Sequence, residues 1–373
     1  MTSQHLPAIG DPVDAIETPA LIVELDPFER NLAKLAGFAK EAGVRLRPHA
    51  KTHKCPAIAL KQIAAGAVGQ CCQKVGEAEA LVRSGIKDVL VSNEVVGERK
   101  LRRLAALAAD ARVALCFDDA GQVEATGRVA RDFGVELGAM VEIDLGANRC
   151  GVLPGAPAAE LARRIADTGG LRFEGLQAYH GSAQHMQPAQ REEAIRSAGR
   201  LVTQTLDALR GAGLEARFVS GAGTGTFRFE GASGLWNELQ AGSYLFMDTD
   251  YARIGDRNSD RYTEFEHSLF VLASVMSRPV DGRAIVDAGL KSYSAEKGPP
   301  WVAGMEDAEV TGVSDEHGRI ELGARAPRLR LGEKVKLIPG HCDPTVNLHD
   351  WYVGVRRGRV EALWPIAARG ASI

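Results

Sequence analysis

The sequence predicts a (β/α)8 barrel of the TIM type followed by a second, mostly β domain. Three observations carry that prediction. Strand-length apolar stretches alternate with amphipathic stretches of helical spacing through the first two thirds of the chain. After about Phe265 the texture changes to short strands joined by Gly, Pro and Asp turns, with no long helix. The chain is also long enough, at 373 residues with 45% hydrophobic residues, for one large domain and a smaller one. Strands separated by helices imply right-handed crossovers and a parallel sheet, and about eight such units in roughly 220 residues match a barrel better than a doubly wound sheet.

The predicted strands of the first domain are 21–25, 44–49, 67–72, 88–93, 113–118, 137–144, 173–180 and 216–222. The first helix follows from its start signals: Asp26 as cap, Pro27 at the first helical position and Glu29 reaching back in a capping box. Phe28, Leu32, Leu35 and Ala39 share one face, and Gly43 ends the run. Further helices are predicted over 74–84, 98–111, 120–133, 158–168 and 191–210. In the second domain the strands are 267–277, 283–287, 319–322, 334–338 and 351–356. The expected organisation is an N-terminal segment over 1–25 packing with the β domain, a barrel over 26–265 and the β domain over 266–373.

Charge and composition exclude several classes. Lys+Arg 45 against Asp+Glu 48 gives a net charge of −3, unlike a nucleic-acid-coating or polybasic membrane-surface protein. No uninterrupted apolar run approaches the roughly 18–20 residues of a spanning helix, and the first residues lack the basic and apolar regions of a signal peptide. Six cysteines in so long a chain, with no CxxC, do not make a disulfide framework. The expectation is a soluble cytoplasmic protein acting on a small molecule.

In a barrel the chemistry belongs on loops beyond the carboxyl ends of the strands. The first unusual run there is Arg47-Pro48-His49-Ala50-Lys51-Thr52-His53-Lys54. A lysine just past a buried strand, near other cations, becomes nucleophilic enough for a Schiff base, whereas a solvated basic loop carries no chemistry. The second is Ser220-Gly221-Ala222-Gly223-Thr224-Gly225-Thr226. Its glycines let amides converge on an anion, and Thr hydroxyls add donors. It fits neither the P-loop nor GxGxxG, so a phosphate ester is favoured over a nucleotide; the alternative is a tight turn without a ligand. Gln240-Ala241-Gly242-Ser243-Tyr244, one unit later, can complete the same cradle. In the β domain, Pro339-Gly340-His341-Cys342-Asp343-Pro344-Thr345 places His341 and Asp343 on one side of an extended chain. An imidazole and a carboxylate with water suit Mg²⁺ or Mn²⁺; Cys342 as a ligand instead would favour Zn²⁺, and a local polar turn needs no metal. Arg149 after the sixth strand is a candidate anion partner, and Tyr179-His180 ends the seventh at the barrel mouth. Asp315-Glu316-His317-Gly318 reads as a turn, His267 and His349 as structural, and Cys71-Cys72 as small core residues.

Taken together these runs resemble the fold-type III pyridoxal-phosphate enzymes, the alanine racemase-like barrel with a β domain, and more narrowly the D-threonine aldolase and D-serine dehydratase group. The resemblance covers the chain from Thr18 to Arg369. Within the group, the run from Cys71 to Ala80, Ser-Asp-Glu-His-Gly at 314–318 and His-Cys-Asp-Pro-Thr at 341–345 are most similar to the 3-hydroxy-D-aspartate aldolases. The resemblance implies that Lys51 is the Schiff-base lysine and a catalytic residue. It implies a phosphate site at Thr224, flanked by Gly223 and Gly225, with Gly242 and Ser243, which Tyr244 joins. Gln73 and Tyr179 match positions around the cofactor, and Arg149 matches the arginine near its phenolic oxygen. His341 and Asp343 match the metal pair, with His341 a catalytic position. Dehydratase members carry His-x-Cys and use zinc; Asp343 is the aldolase-like pattern. The implied cofactors are pyridoxal 5'-phosphate and a divalent cation, Mg²⁺ or Mn²⁺ rather than Zn²⁺.

The implied reaction is cleavage of a D-3-hydroxy amino acid, best 3-hydroxy-D-aspartate to glycine and glyoxylate. Two neighbouring alternatives are a dehydratase releasing ammonia and a D-threonine aldolase. Small barrel proteins of cofactor homeostasis lack a β domain, which argues against that class. A racemase needs a second acid/base, and neither Tyr293 nor Tyr352 sits in a matching motif. The family implies a homodimer.

Overall fold

The first predicted strand, β1 (Ala20–Glu24), does not belong to the barrel. In the computed structural model, which describes residues 6–256 and 259–373, it lies in a nine-stranded sheet formed by the C-terminal strands. The helix that follows, α1 (Leu25–Ala42), starts directly at the strand end. Asp26 therefore sits inside the first turn and is not the cap. Asp26 and Glu29 form ion pairs with Arg356 instead, Glu29 at 2.7 Å. Gly43, at φ +66°, ends the helix as expected, because that backbone region disfavours any side chain.

The parallel sheet comprises β2 (Arg45–Leu46), β3 (Gln70–Cys72), β4 (Asp88–Glu94), β5 (Arg112–Phe117), β6 (Leu137–Glu142), β7 (Leu171–Ala178), β8 (Phe218–Gly221) and β9 (Glu238–Leu239). Their order is β3-β4-β5-β6-β7-β8-β9-β2. Past the end of β2 the chain pairs with β3: Val68 N donates to Leu46 O (2.9 Å), Cys71 N to Pro48 O (2.9 Å) and Ala50 N to Cys71 O (2.7 Å). These bonds close the sheet into a barrel. The eighth strand is thus β9, not the 21–25 segment. Two residues, one of them the buried Glu238, carry no readable alternation.

The barrel helices are α2 (Pro56–Ala64), α3 (Val75–Arg83), α4 (Glu98–Leu107), α5 (Ala120–Asp132), α6 (Ala156–Ala166), α7 (Pro188–Gly211) and α8 (Phe227–Ala232), of which the periodicity did not predict α2 and α8. Cys72, Val91, Leu115 and Val141 belong to the large apolar cluster that also takes in residues of α3 to α7, while Cys71, Leu90, Ala114, Cys116, Met140 and Phe218 form a separate small cluster. Both cysteines of the Cys71-Cys72 pair are fully buried, packed as small apolar residues.

Below that small cluster the barrel is polar. Arg47 is 1% exposed and binds Asp88 (2.7 Å) and Glu238 (2.9 Å). Burial alone would lower its pKa, but the two carboxylates raise it. Asp88 also binds Arg112 (2.6 Å), which pairs with Glu174. From Glu238 the network continues through Ser220 Oγ (2.8 Å) to Gln240 (2.7 Å) and its amide partner Gln177.

The residues cluster into two units, 34–51 with 58–242 and 370–373 in one, and 1–33 with 52–57 and 243–369 in the other. The second contains β10 (Leu269–Ser277), β11 (Arg283–Val286), β12 (Trp301–Val302), β13 (Ala308–Val313), β14 (Gly318–Leu322), β15 (Lys334–Ile338), β16 (Trp351–Arg356) and β17 (Arg359–Pro365). Their order with β1 is β11-β14-β13-β12-β15-β10-β1-β16-β17, and β11 also pairs with β10. Its helices after residue 243 are short, including α9 (Thr249–Ala252) and α10 (Cys342–Val346). The 315–317 segment is the turn between β13 and β14, closed by Ser314 N donating to His317 O (2.9 Å). Among the described residues no helix is long and apolar enough to cross a membrane.

Arg47→Ala leaves two carboxylates short of their partner, so it should lower unfolding free energy by about 3–5 kcal/mol, read from denaturant midpoints. The pH dependence has a fixed sign. Burial pushes Glu238 up, but Arg47 outweighs it and holds the folded-state pKa below the usual value. The stabilisation is therefore complete above the ordinary carboxylate range and is lost as pH falls through it; the midpoint should fall more between pH 7 and pH 3 in wild type than in Arg47→Ala.

Candidate active site

The barrel residues singled out in the sequence all lie beyond the carboxyl ends of parallel strands, on one rim. Lys51 follows β2, Gln73 follows β3, Arg149 lies in the loop after β6, Tyr179 follows β7, the 222–226 loop follows β8 and Gly242 follows β9. The 47–55 run is not a solvated basic loop: Arg47, His49, Thr52, His53 and Lys54 are buried, and Lys51 is half-buried. His49 ties this turn to its neighbours. Its Nδ1 accepts from Lys51 N (3.3 Å), and its Nε2 lies 3.1 Å from both Gln73 Nε2 and Ser92 Oγ.

The glycine-rich loop is buried throughout. Ala222 adopts φ +70°, a strained value for a residue with a side chain. A Cβ on Gly223 would stand 2.3 Å from Gln184 Oε1, so any side chain there must displace the Gln184 amide. Gln184, from the short helical turn Ser182–His185, accepts from Gly225 N (2.9 Å) and donates to Thr226 Oγ1 (2.8 Å). Thr226 in turn donates to Glu230 (2.7 Å), whose carboxyl is pushed up to about 7 by burial. Thr226 is thus committed to holding the loop. Gln184 had no signal in the sequence, since it lies 39 positions from Gly223. A loop pinned by side chains, shaped around glycines and set on a late barrel strand fits a phosphate ester.

Arg149 is exposed, with Glu142 at 3.4 Å and its guanidinium 5.7 Å from the Tyr179 ring centroid. Its loop is fixed by Asp144 Oδ1, which accepts from Gly146 N (2.9 Å), Ala147 N (2.9 Å) and Asn148 N (3.2 Å). His180 Nδ1 lies 3.3 Å from Ser182 Oγ, and burial lowers its pKa.

In the other unit, Ser243 and Tyr244 begin a short helical turn, and the Tyr244 ring is buried 5.5 Å from Phe265. The 341–345 run is not extended: His341 alone has extended angles, and α10 starts at Cys342. Asp343 is thus presented from the first helical turn. His341 Nδ1 lies 2.5 Å from Glu296 Oε1. Cys342 N donates to Asp248 Oδ2 (2.8 Å), and Thr345 Oγ1 donates to His341 O (2.7 Å). With Nδ1 held by a carboxylate, His341 offers Nε2, the arrangement a metal-ligating imidazole uses. The donor set therefore fits a divalent cation at His341 and Asp343. Cys342 is fully buried, its thiol pushed up by burial. His267 and His349 bond backbone carbonyls, Asp248 O at 3.3 Å and Ser292 O at 2.7 Å.

The chain matches the alanine racemase N-terminal domain family over residues 23–250 and the serine dehydratase domain family over residues 268–355. It is 48% identical to a D-threonine aldolase of Arthrobacter sp. over 97% of this chain and 95% of the relative. Identity to a 3-hydroxy-D-aspartate aldolase of Paracoccus denitrificans (strain Pd 1222) is 47% over 98% and 95%. The chain is a fold-type III pyridoxal-phosphate enzyme of the D-threonine aldolase and D-serine dehydratase group. The crystal structure of D-threonine aldolase from Filomicrobium marinum superposes with a TM-score of 0.95, at 49% identity over 99% of this chain and 100% of that one. A D-threo-3-hydroxyaspartate dehydratase of Delftia sp. (strain HT23) is more distant, 30% identical over 90% of this chain and 93% of its own length.

Gly223→Ala should displace Gln184 and weaken binding of pyridoxal phosphate about tenfold or more, measured by equilibrium titration of the apoenzyme, while the far-ultraviolet spectrum is retained.

Proposed function

We propose that this chain is a pyridoxal-phosphate- and divalent-metal-dependent aldolase that cleaves D-3-hydroxy amino acids, with 3-hydroxy-D-aspartate yielding glycine and glyoxylate. The observation that carries the reading is full-length similarity near half identity to two aldolases, against 30% to a dehydratase. The aldolase-like Asp343 two residues after His341 agrees with it.

Lys51 would hold the cofactor through its ε-amine, with Thr224, Gly223, Gly225, Gly242, Ser243 and Tyr244 at its phosphate and Gln73 and Tyr179 beside its ring. Pyridoxal phosphate, when bound, supplies an electron sink for the pair left at Cα. His341 and Asp343 would hold Mg²⁺ or Mn²⁺, which supplies Lewis acidity toward a hydroxyl. Arg149, held at 3.4 Å from Glu142, would hold an anionic oxygen at the rim. Glu296 fixes the tautomer of His341 by accepting from Nδ1. Cleavage requires the β-hydroxyl of the substrate to lose its proton as the Cα–Cβ bond breaks, and Cα to gain one. Dehydration requires loss of the Cα proton and departure of the hydroxyl instead. The residues above serve either course, and the choice rests on which Cα bond is aligned for cleavage. The reading includes a cytoplasmic homodimer.

Incubating 3-hydroxy-D-aspartate with holoenzyme and Mn²⁺ should give glyoxylate and glycine, lost on chelation and in Lys51→Ala. Oxaloacetate and ammonia would overturn the aldolase reading, and acetaldehyde from D-threonine at a much higher kcat/KM would move the preference from a carboxylate to a methyl group. Glu296→Ala should weaken Mn²⁺ binding about 10–100-fold with cofactor absorbance unchanged, measured by activity against free Mn²⁺ and by spectrum.

A further inference from the structure

A second group of ligating side chains lies on the barrel rim, using neither Lys51 nor His341. Glu94 at the end of β4, Asp118 just past β5 and Cys150 in the loop after β6 each bring one ligand atom to within 4.8 Å of the others. Among the described residues this is the one group of three such side chains so close. Glu142, the last residue of β6, adds an independent observation. It is 4% exposed, and its Oε2 has no hydrogen-bond partner. Glu94 Oε1 is likewise buried without a partner. Burial, then the facing Glu94 carboxyl, push Glu142 up to about 8. The same two causes push the Cys150 thiol up to about 11.

Two buried carboxyl oxygens facing each other need either a shared proton or a cation between them. The positive charge at hand is already used: Arg149 binds Glu142 Oε1. Asp118 Oδ2 accepts only from Gly151 N, at 3.1 Å. Three carboxyls and a thiol share one guanidinium, so the cluster lacks a cation on the side facing Glu142 Oε2.

We propose that Glu94, Asp118, Cys150 and Glu142 form a divalent-metal site for an ion of the Zn²⁺ class. One thiolate with carboxylate oxygens is a mixed donor set that a borderline-soft ion accepts, and that Mg²⁺ or Ca²⁺ does not. Bonds of about 2.0–2.3 Å put tetrahedral ligand atoms roughly 3.3–3.8 Å apart, so closing on an ion asks Glu94, Asp118 and Cys150 each to move by less than about 1 Å. On binding, the Cys150 thiol gives its proton to solvent and ligates as thiolate. The ion then joins three consecutive strand-to-helix loops and fixes Glu142, which in turn positions Arg149.

The test uses holoenzyme carrying His341→Ala, which removes the other proposed metal position, titrated with Cd²⁺ as a thiolate-sensitive probe and with Zn²⁺ for stoichiometry. One ion per chain should bind, with the ultraviolet charge-transfer band of a Cd–thiolate bond. Cys150→Ser in the same background should lose the band, and Glu94→Gln should weaken binding about tenfold or more. If Glu94 and Glu142 merely share a proton, no band forms and Cys150→Ser binds as many ions as its parent, which overturns the proposal. A band that survives Cys150→Ser places the ion on another thiol and overturns it equally. Should Glu94→Gln fail to fold, the Cys150→Ser comparison decides alone.

Discussion

The barrel depends on one buried guanidinium. Arg47 sits just beyond β2 with its charge out of water, a position tenable only because Glu238 and Asp88 take up its donors. Those partners come from β9 and β4, so one side chain fixes the register of strands far apart in sequence. Glycine makes the room: a Cβ at position 69 would stand 2.6 Å from Arg47 Nη1, and one at position 138 would stand 2.7 Å from Glu174 Cδ. From Glu238 the same network rises through Ser220 to Gln240 and Gln177, on the strands whose ends carry Tyr179, the glycine-rich loop and Gly242. Loops that carry chemistry are anchored in this way by a floor that carries none.

Above that floor, strain is concentrated at the rim. Among the described residues with side chains at positive φ are Lys54, Asn148 and Ala222, each within three residues of Lys51, Arg149 or Thr224. Such backbone persists only where the surroundings over-determine it. Here the surroundings are identifiable: Asp144 gathers three amides ahead of Arg149, and Gln184 clamps the glycine-rich loop from both sides. The β unit follows the same logic. Glu296 sets the ring of His341, while Asp248, itself pushed up to about 6 by burial, takes the Cys342 amide and so holds the start of α10.

Much of this was legible beforehand. The strands from 67 to 222 and the long helix ending near Gly211 were written in local alternation and helical spacing, and each motif stood where a strand ends. The residues that hold the motifs were not. Gln184, Glu296, Asp144 and Ser92 are ordinary polar side chains, and only their partners make them matter. The 341–345 run misled in one respect: an extended reading put His341 and Asp343 on one side, whereas Pro344 lies inside a helical turn that presents them differently.

The sequence by itself determined the class of fold, most of the alternating strands and helices between 67 and 222, the loops where chemistry resides and the family, because those are recorded in patterns about ten residues long or in short runs of unusual composition. The tertiary structure alone decided that residues 20–24 join the C-terminal sheet, that a two-residue strand at Glu238 closes the barrel, and that the basic run at 47–54 is buried apart from a half-buried Lys51. Each of these turns on where a charge or an unpaired backbone group finds its partner. Arg47 and Glu238 stand 191 positions apart, a separation that no local pattern records.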